Sequence, residues 1–182
     1  MNDRQKELDK YREVYARHEA YRMSAGRLEA AKRLVFEHTG SLLDVSCGRG
    51  ELLKAARDSD LFDVVKGTET VPALCNEHVV CAEITKLPFD DKSFDVVTCF
   101  DVIEHVLEAD IVPGLLELER VCSGTIIISA ADYSDMWDGV EMHPSARPYP
   151  EWDRLFRATF TGRVRHVGKT PTSEVWAVKY GG

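Results

Sequence analysis

Apolar positions fall into two regimes along the chain. Over residues 1–20 they are sparse: Leu8, Tyr11, Tyr15 and His18 recur at intervals of three and four within a strongly charged stretch. That spacing predicts a helix with a narrow apolar stripe, too thin for a core helix but able to lie across a domain surface. A second helix is predicted from about Ser24 to His38, where Leu28, Ala31, Leu34 and Val35 share one face, with Gly40 as its C-terminal stop. From Ser41 onward, short apolar runs alternate with helical stretches. Strands are expected at Leu42–Val45, Phe62–Lys66, His78–Ala82, Phe94–Cys99 and Thr125–Ser129, with helices over Glu51–Arg57 and from about Glu104 to Val121. A loop containing Pro144, Pro148 and Pro150 leads to a helix near Glu151–Ala158, and strands near Val164 and Val175–Val178 close the chain. Continuous apolar strands separated by helices need cover on both faces, so the sheet is mostly parallel. The expected fold is one α/β domain: a doubly wound, mostly parallel seven-stranded sheet with helices on both faces and an antiparallel edge strand.

Composition narrows the chemistry. The 182 residues suffice for one ordinary domain. A net charge of −8 argues against a broad phosphate-tracking surface, so a nucleic acid partner is not expected. Arg154, Arg157, Arg163, Arg165 and Lys169 cluster late in the chain and read as a solvated face. No stretch reaches the ~20 apolar residues of a membrane span, and the N-terminus is too polar for a signal peptide. The five cysteines include no Cys-x-x-Cys pair, which predicts reduced, buried thiols in a cytoplasmic protein and no metal site.

Ligands of open parallel sheets bind beyond the carboxyl ends of the strands, so the turn after the first strand is where chemistry is sought. It reads Asp44-Val45-Ser46-Cys47-Gly48-Arg49-Gly50-Glu51. Gly48 and Gly50 allow a tight bend and a close backbone approach, and the helix that follows presents free amides. A dinucleotide site wants G-x-G-x-x-G. Aligned on Gly48, this chain has Ser46 and Glu51 at two of the three glycine positions, and Glu51 would oppose a pyrophosphate.

The turn instead resembles the first motif of the class I methyltransferases, an acidic residue followed by G-x-G-x-G, with Ser46 in place of the first glycine. That replacement implies a position with a negative φ. Asp44 suits the cationic sulfonium and ammonium of S-adenosyl-L-methionine as it would not suit a pyrophosphate. Glu69, about 20 residues past the turn, could accept both ribose hydroxyls, with Thr70 beside it. The run from Cys81 to Val97, with Leu87-Pro88-Phe89, Ser93-Phe94-Asp95 and Val96-Val97, is similar to a segment of the small-molecule "type 11" subfamily, and Asp101-Val102-Ile103-Glu104-His105-Val106 continues the likeness. By that resemblance Glu83 contacts the adenine amine, Ile84 packs on the ring, Phe100 backbone meets the methionine portion, and Asp101 sits near the methyl group. Cys47, with Ser46, Gly48 and Gly50, completes the cofactor turn. The resemblance also implies that N-terminal helices close over the cofactor, with Arg27 (Arg22 second) reaching its carboxylate. The stretch between Glu69 and Val79 is short, so the usual second helix shrinks to about a turn.

These expectations divide the chain into a helical cap (1–40), a cofactor-binding core (41–130) and an acceptor-pocket loop with closing strands (131–182). His105, beyond the fourth strand, and His143, after the fifth, are the candidate general bases. The loop around His143 is rich in Trp, Tyr and Met and could wall off a small acceptor. The activity implied is methyl transfer from S-adenosyl-L-methionine to an O or N nucleophile of a small molecule or glycan unit, by a monomer or homodimer. The Asn/Asp-Pro-Pro-aromatic and Pro-Cys signatures of DNA methyltransferases are absent after the fourth strand. The alternative is a catalytically silent S-adenosylmethionine-binding module that partners another protein.

Overall fold

The computed structural model describes residues 3–19 and 21–181. In chain order the elements are α1 (Asp3–Arg17), α2 (Ala25–Val35), β1 (Gly40–Asp44), α3 (Glu51–Arg57), β2 (Phe62–Glu69), β3 (Val79–Cys81), β4 (Phe94–Cys99), α4 (Glu108–Val121), β5 (Cys122–Ala130), β6 (Met136–Trp137), β7 (Val140–Glu141), α5 (Tyr149–Thr159), β8 (Arg163–Lys169) and β9 (Glu174–Lys179). Seven strands form one sheet in the order β3-β2-β1-β4-β5-β9-β8, while β6 and β7 make a separate small hairpin. The pairs β1–β2, β1–β4, β2–β3 and β4–β5 are parallel; β9 runs antiparallel to both β5 and β8.

The pleat sorts neighbouring apolar residues to opposite faces. Leu43, Val97, Ile126 and Ile128 join Ile111, Leu115 and Leu118 of α4 and Trp152 and Phe156 of α5 in one core. Leu42, Val96 and Ile127 join Ala31 and Val35 of α2 and Leu52, Leu53 and Ala56 of α3 in the other. The continuous runs of the sequence follow from this: every central strand is covered twice. The order reverses at β1, whose neighbours are β2 on one side and β4 on the other. That switch point is where the carboxyl-end crevice opens.

Several expectations are corrected. Helix α2 stops at Val35 with Phe36 as its C-cap, and Gly40 is not its terminator but the first residue of β1. Phe36 leaves the helix to pack against Phe62, ring centroids 6.3 Å apart. Gly40 has φ +97°, and a Cβ there would lie 2.4 Å from Asp95 Oδ2, which accepts the Ser41 amide and hydroxyl. The helix expected from Glu104 is split. A 3-10 turn spans Ile103–His105, Val106 is extended, and α4 begins only at Glu108. Nor are all five thiols reduced: Cys75 and Cys81 form a disulfide, while Cys47, Cys99 and Cys122 are free. The pair bridges the 3-10 turn Pro72–Leu74, the shortened second helix, to β3. The cytoplasmic expectation built on five thiols therefore keeps only three. Among the described residues no helix is long and apolar enough to cross a membrane.

Candidate active site

The turn after β1 is held from beneath by its neighbours. Val45 donates its amide to Thr98 O at 2.8 Å and Cys47 donates its own to Thr68 O at 2.9 Å. Between these fixed points Ser46 takes φ +54°, followed by Gly48 at +57° and Gly50 at +78°. The negative φ inferred for Ser46 is thus wrong: the serine occupies the left-handed conformation, at a cost of about 1 kcal/mol, because both flanking amides are already committed to strand carbonyls. Gly48 has no such latitude, since a Cβ there would lie 2.9 Å from the Tyr15 hydroxyl of α1. Gly50 is the N-cap of α3.

Asp44 does not face the cleft. It is buried beneath the turn, where its Oδ1 accepts the Thr98 hydroxyl at 2.6 Å. Burial, opposed by that hydrogen bond, pushes its carboxyl up to about 7. Its contact with a sulfonium is therefore not part of this geometry, and its place is structural, anchoring β1 to β4.

Glu69, at the carboxyl end of β2, is the acid that reaches the cleft. Its Oε2 accepts the Gly48 amide at 2.9 Å, while Oε1 accepts the Thr70 amide at 2.7 Å, the Thr70 hydroxyl and the Val71 amide, both at 3.2 Å. These bonds orient the carboxylate and tie turn to strand end. With about four lone-pair sites on a carboxylate, the free capacity lies on Oε2. Further along the same cleft are Glu83, 3.6 Å from Arg4 of α1, and Ile84, buried against Gly114 of α4.

Phe100 and Asp101 follow β4, and Arg27 arrives from α2. Asp101, at φ +53°, accepts the Ser129 and Ser173 hydroxyls at 2.7 and 2.5 Å and pairs with the Arg27 guanidinium. Arg27 Nε is buried with no partner. A buried, unpaired guanidinium N–H is costly, and an anionic ligand group in the cleft would satisfy it. This orphan donor together with the free capacity of Glu69 fits a ligand carrying a carboxylate at one end and hydroxyls at the other, as S-adenosylmethionine does.

Beyond Asp101 lie two imidazoles, centroids 4.5 Å apart. His105 Nδ1 is 2.7 Å from Met142 O and 2.9 Å from the Tyr11 hydroxyl, which itself donates to Met142 O. Nδ1 therefore carries the proton, and Nε2 a lone pair. His143 Nδ1 likewise lies 2.7 Å from Tyr133 O. Burial, then the neighbouring His143, pushes His105 down to about 3, so it is neutral at physiological pH. Glu104 is fully buried, its Oε1 accepting the Ala131 amide at 3.2 Å. Burial, then nearby Asp101, pushes this carboxyl up to about 8.

Helix α1 roofs the cleft. The stripe of α1 faces inward: Leu8, Tyr11 and Tyr15 line the cleft. Arg49 locks the helix down, donating to Tyr15 O at 3.0 Å and His18 O at 3.3 Å, with its guanidinium over the Tyr15 ring. At the other side Trp137 packs edge-on against His18 and Tyr21, centroids 4.9 and 5.1 Å apart. Of the aromatic and Met residues expected to wall the acceptor side, Tyr133 and Trp137 line it; Met142 is buried behind, and Met136 is exposed. The intervals of α1 signalled a packed face but not the contacts it makes, because its hydrogen-bond partners lie 34 to 131 residues away. The enclosed part of the cleft under α1 measures about 140 Å³, below the ~300–1,000 Å³ range of small-molecule sites.

Comparison with known proteins agrees with this geometry. A family model of the methyltransferase domain matches residues 43–128, β1 through most of β5. An uncharacterized protein of Methanocaldococcus jannaschii is 31% identical over 81 residues, 44% of this chain but only 35% of that protein, so the similarity spans about a third of its length. Among solved structures, the PH0226 protein of Pyrococcus horikoshii superposes with TM-score 0.72 at 18% identity, covering 92% of this chain and 98% of that one. A SAM-dependent methyltransferase of Aquifex aeolicus gives TM-score 0.62 at 18% identity over 86% and 92% of the two chains. The sugar N-methyltransferase KedS8 of Streptoalloteichus gives 0.66 at 17% over 92% and 91%. A parallel sheet reversing at β1, an acid at the end of β2 tied to a glycine turn, and the matched segment agree: residues 43–128 are similar to a methyltransferase domain, on a fold shared with the solved structures above.

Proposed function

We propose that the chain transfers the methyl group of S-adenosylmethionine to an oxygen or nitrogen nucleophile of a small molecule or a sugar unit. The observation that carries this reading is the continuity of the cleft. Glu69 lines one arm of the cleft, Arg27 lines the other together with both imidazoles, and the two arms share Tyr15, Tyr21, Ser46, Asp101 and His105. When bound, S-adenosylmethionine supplies an electrophilic methyl group on a sulfonium. Glu69 Oε2 accepts a ribose hydroxyl, Glu83 and Ile84 frame the adenine, and Arg27 Nε donates to the carboxylate. Phe100 and Asp101 border the path between the two sides. Tyr133, Trp137 and the α1 tyrosines exclude water from a reaction that depends chiefly on in-line alignment. His105, neutral and held by Met142 O, offers Nε2 to the acceptor's proton, with His143 beside it. The acceptor side, about 280 Å³ and bordered by Tyr15, Tyr21, Tyr133 and Trp137, supports a small acceptor over a polymer, and the similarity to a sugar N-methyltransferase supports including amino sugars in the search.

The test is methyl transfer from radiolabelled S-adenosylmethionine to a panel of hydroxyl- and amine-bearing small molecules and sugars. Labelled product with at least one acceptor, reduced about tenfold or more in His105→Ala, is expected. Cofactor binding without turnover on any acceptor would instead favour the silent binding module.

A further inference from the structure

The acceptor side of the cleft contains more acceptor atoms than donors to satisfy them. Glu104, His105 and His143 each offer one ligand atom, and these atoms lie within 4.8 Å of one another. The protons of both imidazoles are directed away from this point, His105 Nδ1 onto Met142 O and His143 Nδ1 onto Tyr133 O. That leaves two Nε2 lone pairs. Glu104 uses only Oε1, and its Oε2 is buried with no hydrogen-bond partner. A fully buried carboxyl oxygen without a partner is costly, and a cation held by it would satisfy it. Both ring N–H groups bonded to backbone carbonyls is also the arrangement that fixes metal-binding histidines by their outer nitrogen.

We propose that Glu104, His105 and His143 bind a first-row divalent cation. Two imidazole nitrogens and one carboxylate oxygen are the donor set of Mn²⁺, Fe²⁺, Co²⁺ or Zn²⁺; Mg²⁺ and Ca²⁺ prefer all-oxygen surroundings. Asp135 Oδ2, 4.0 Å from His143 Nε2, is near enough to become a further ligand by a small rotation. Asp101 is not free to do so, being held by Arg27, Ser129 and Ser173. The cluster borders the same cleft, so the remaining coordination positions open toward the acceptor. The inference deepens the proposed methyl transfer by giving the acceptor oxygen or nitrogen a Lewis acid to bind in place of an imidazole base. Cation binding itself, however, does not depend on that reading. It also departs from the expectation of no metal site, which rested on cysteine spacing alone and could not see a ligand set split between two loops.

The full chain, stripped with chelator, is titrated calorimetrically with MnCl₂, CoCl₂, ZnCl₂ and MgCl₂, and Co²⁺ binding is followed by its visible absorption. Saturation at one Co²⁺ or Zn²⁺ per chain is expected, with Mg²⁺ much weaker. Glu104→Gln and His143→Asn should each weaken binding about tenfold or more, and His166→Ala, at the exposed His166–Glu174 pair, should leave it unchanged. The demethylated cofactor product is titrated into the same variants. Its unchanged affinity shows that the fold and cofactor side are intact, so a failure of the cation site is distinguishable from a failure of the methyltransferase reading. No saturable binding to the unsubstituted chain, or binding that survives both cluster substitutions, overturns the proposal.

Discussion

Glu69 shows how a single carboxylate can serve both fold and ligand. Four contacts from Gly48, Thr70 and Val71 orient it, so it meets a ribose without reorganising. Glu69→Ala removes a charge-assisted bond and loosens the turn, and calorimetry with the demethylated product should register a loss of ~1–3 kcal/mol. Ser46 makes the opposite case. At φ +54° it gains nothing from its Cβ, so Ser46→Gly should preserve cofactor affinity and change unfolding free energy by less than about 1 kcal/mol, the relieved strain being offset by a freer unfolded chain. Asp44 gives a pH test. Its carboxyl is raised to about 7 when folded, so the folded state binds the proton more tightly than the unfolded chain. The stabilisation this provides is complete below about pH 4 and is lost as pH rises through about 7. Urea unfolding of the unsubstituted chain and Asp44→Asn should show the unsubstituted chain's relative stability falling from pH 4.5 to 7.5; a difference that rises instead would contradict the neutral, buried Asp44. Glu69 was legible in the sequence because its distance from the turn is set by one strand–helix–strand unit. The true place of Asp44 was not, since spacing locates a residue at a strand end without saying to which face its carboxyl turns.

Elements that pack on sequence neighbours were legible; elements that pack across the molecule were not. Strand β4 was found with its bounds because alternation and burial agree along Phe94–Cys99. The stop of α2 was misplaced because a glycine near a helix end is also what a strand start needs when an Asp side chain crowds it. Helix α1 was recognised from its stripe, but its fastenings were not: Lys10 donates to Glu141 O at 2.9 Å, Tyr11 to Met142 O, and Arg49 to Tyr15 O and His18 O, all long-range. This makes α1 a roof fastened at the glycine turn and at the β7 end. Arg49→Ala should speed hydrogen exchange throughout α1 and weaken cofactor-product binding, while exchange in β1 and β4 stays slow. Exchange unchanged in α1 would mean the roof does not depend on this fastening.

At the scale of the molecule, a sheet ordered β3-β2-β1-β4-β5-β9-β8 places its crevice between the diverging connections of β1 and β4. The turn, Glu69, Phe100 and Asp101 all reach it because they are carboxyl-terminal to adjacent parallel strands. That convergence could be anticipated from the alternation of strands and helices. The meeting of Glu104 and His105 with His143 could not, because it depends on how the loop after β5 folds back, with Ser145 donating its amide to Glu104 O at 3.1 Å. The central claim is that this crevice binds S-adenosylmethionine. Calorimetric titration of the full chain with its demethylated product tests it most directly. One-to-one binding that is weakened by Glu69→Ala, with no response to NAD, is the result predicted. No binding at millimolar ligand, or binding indifferent to Glu69, would contradict it.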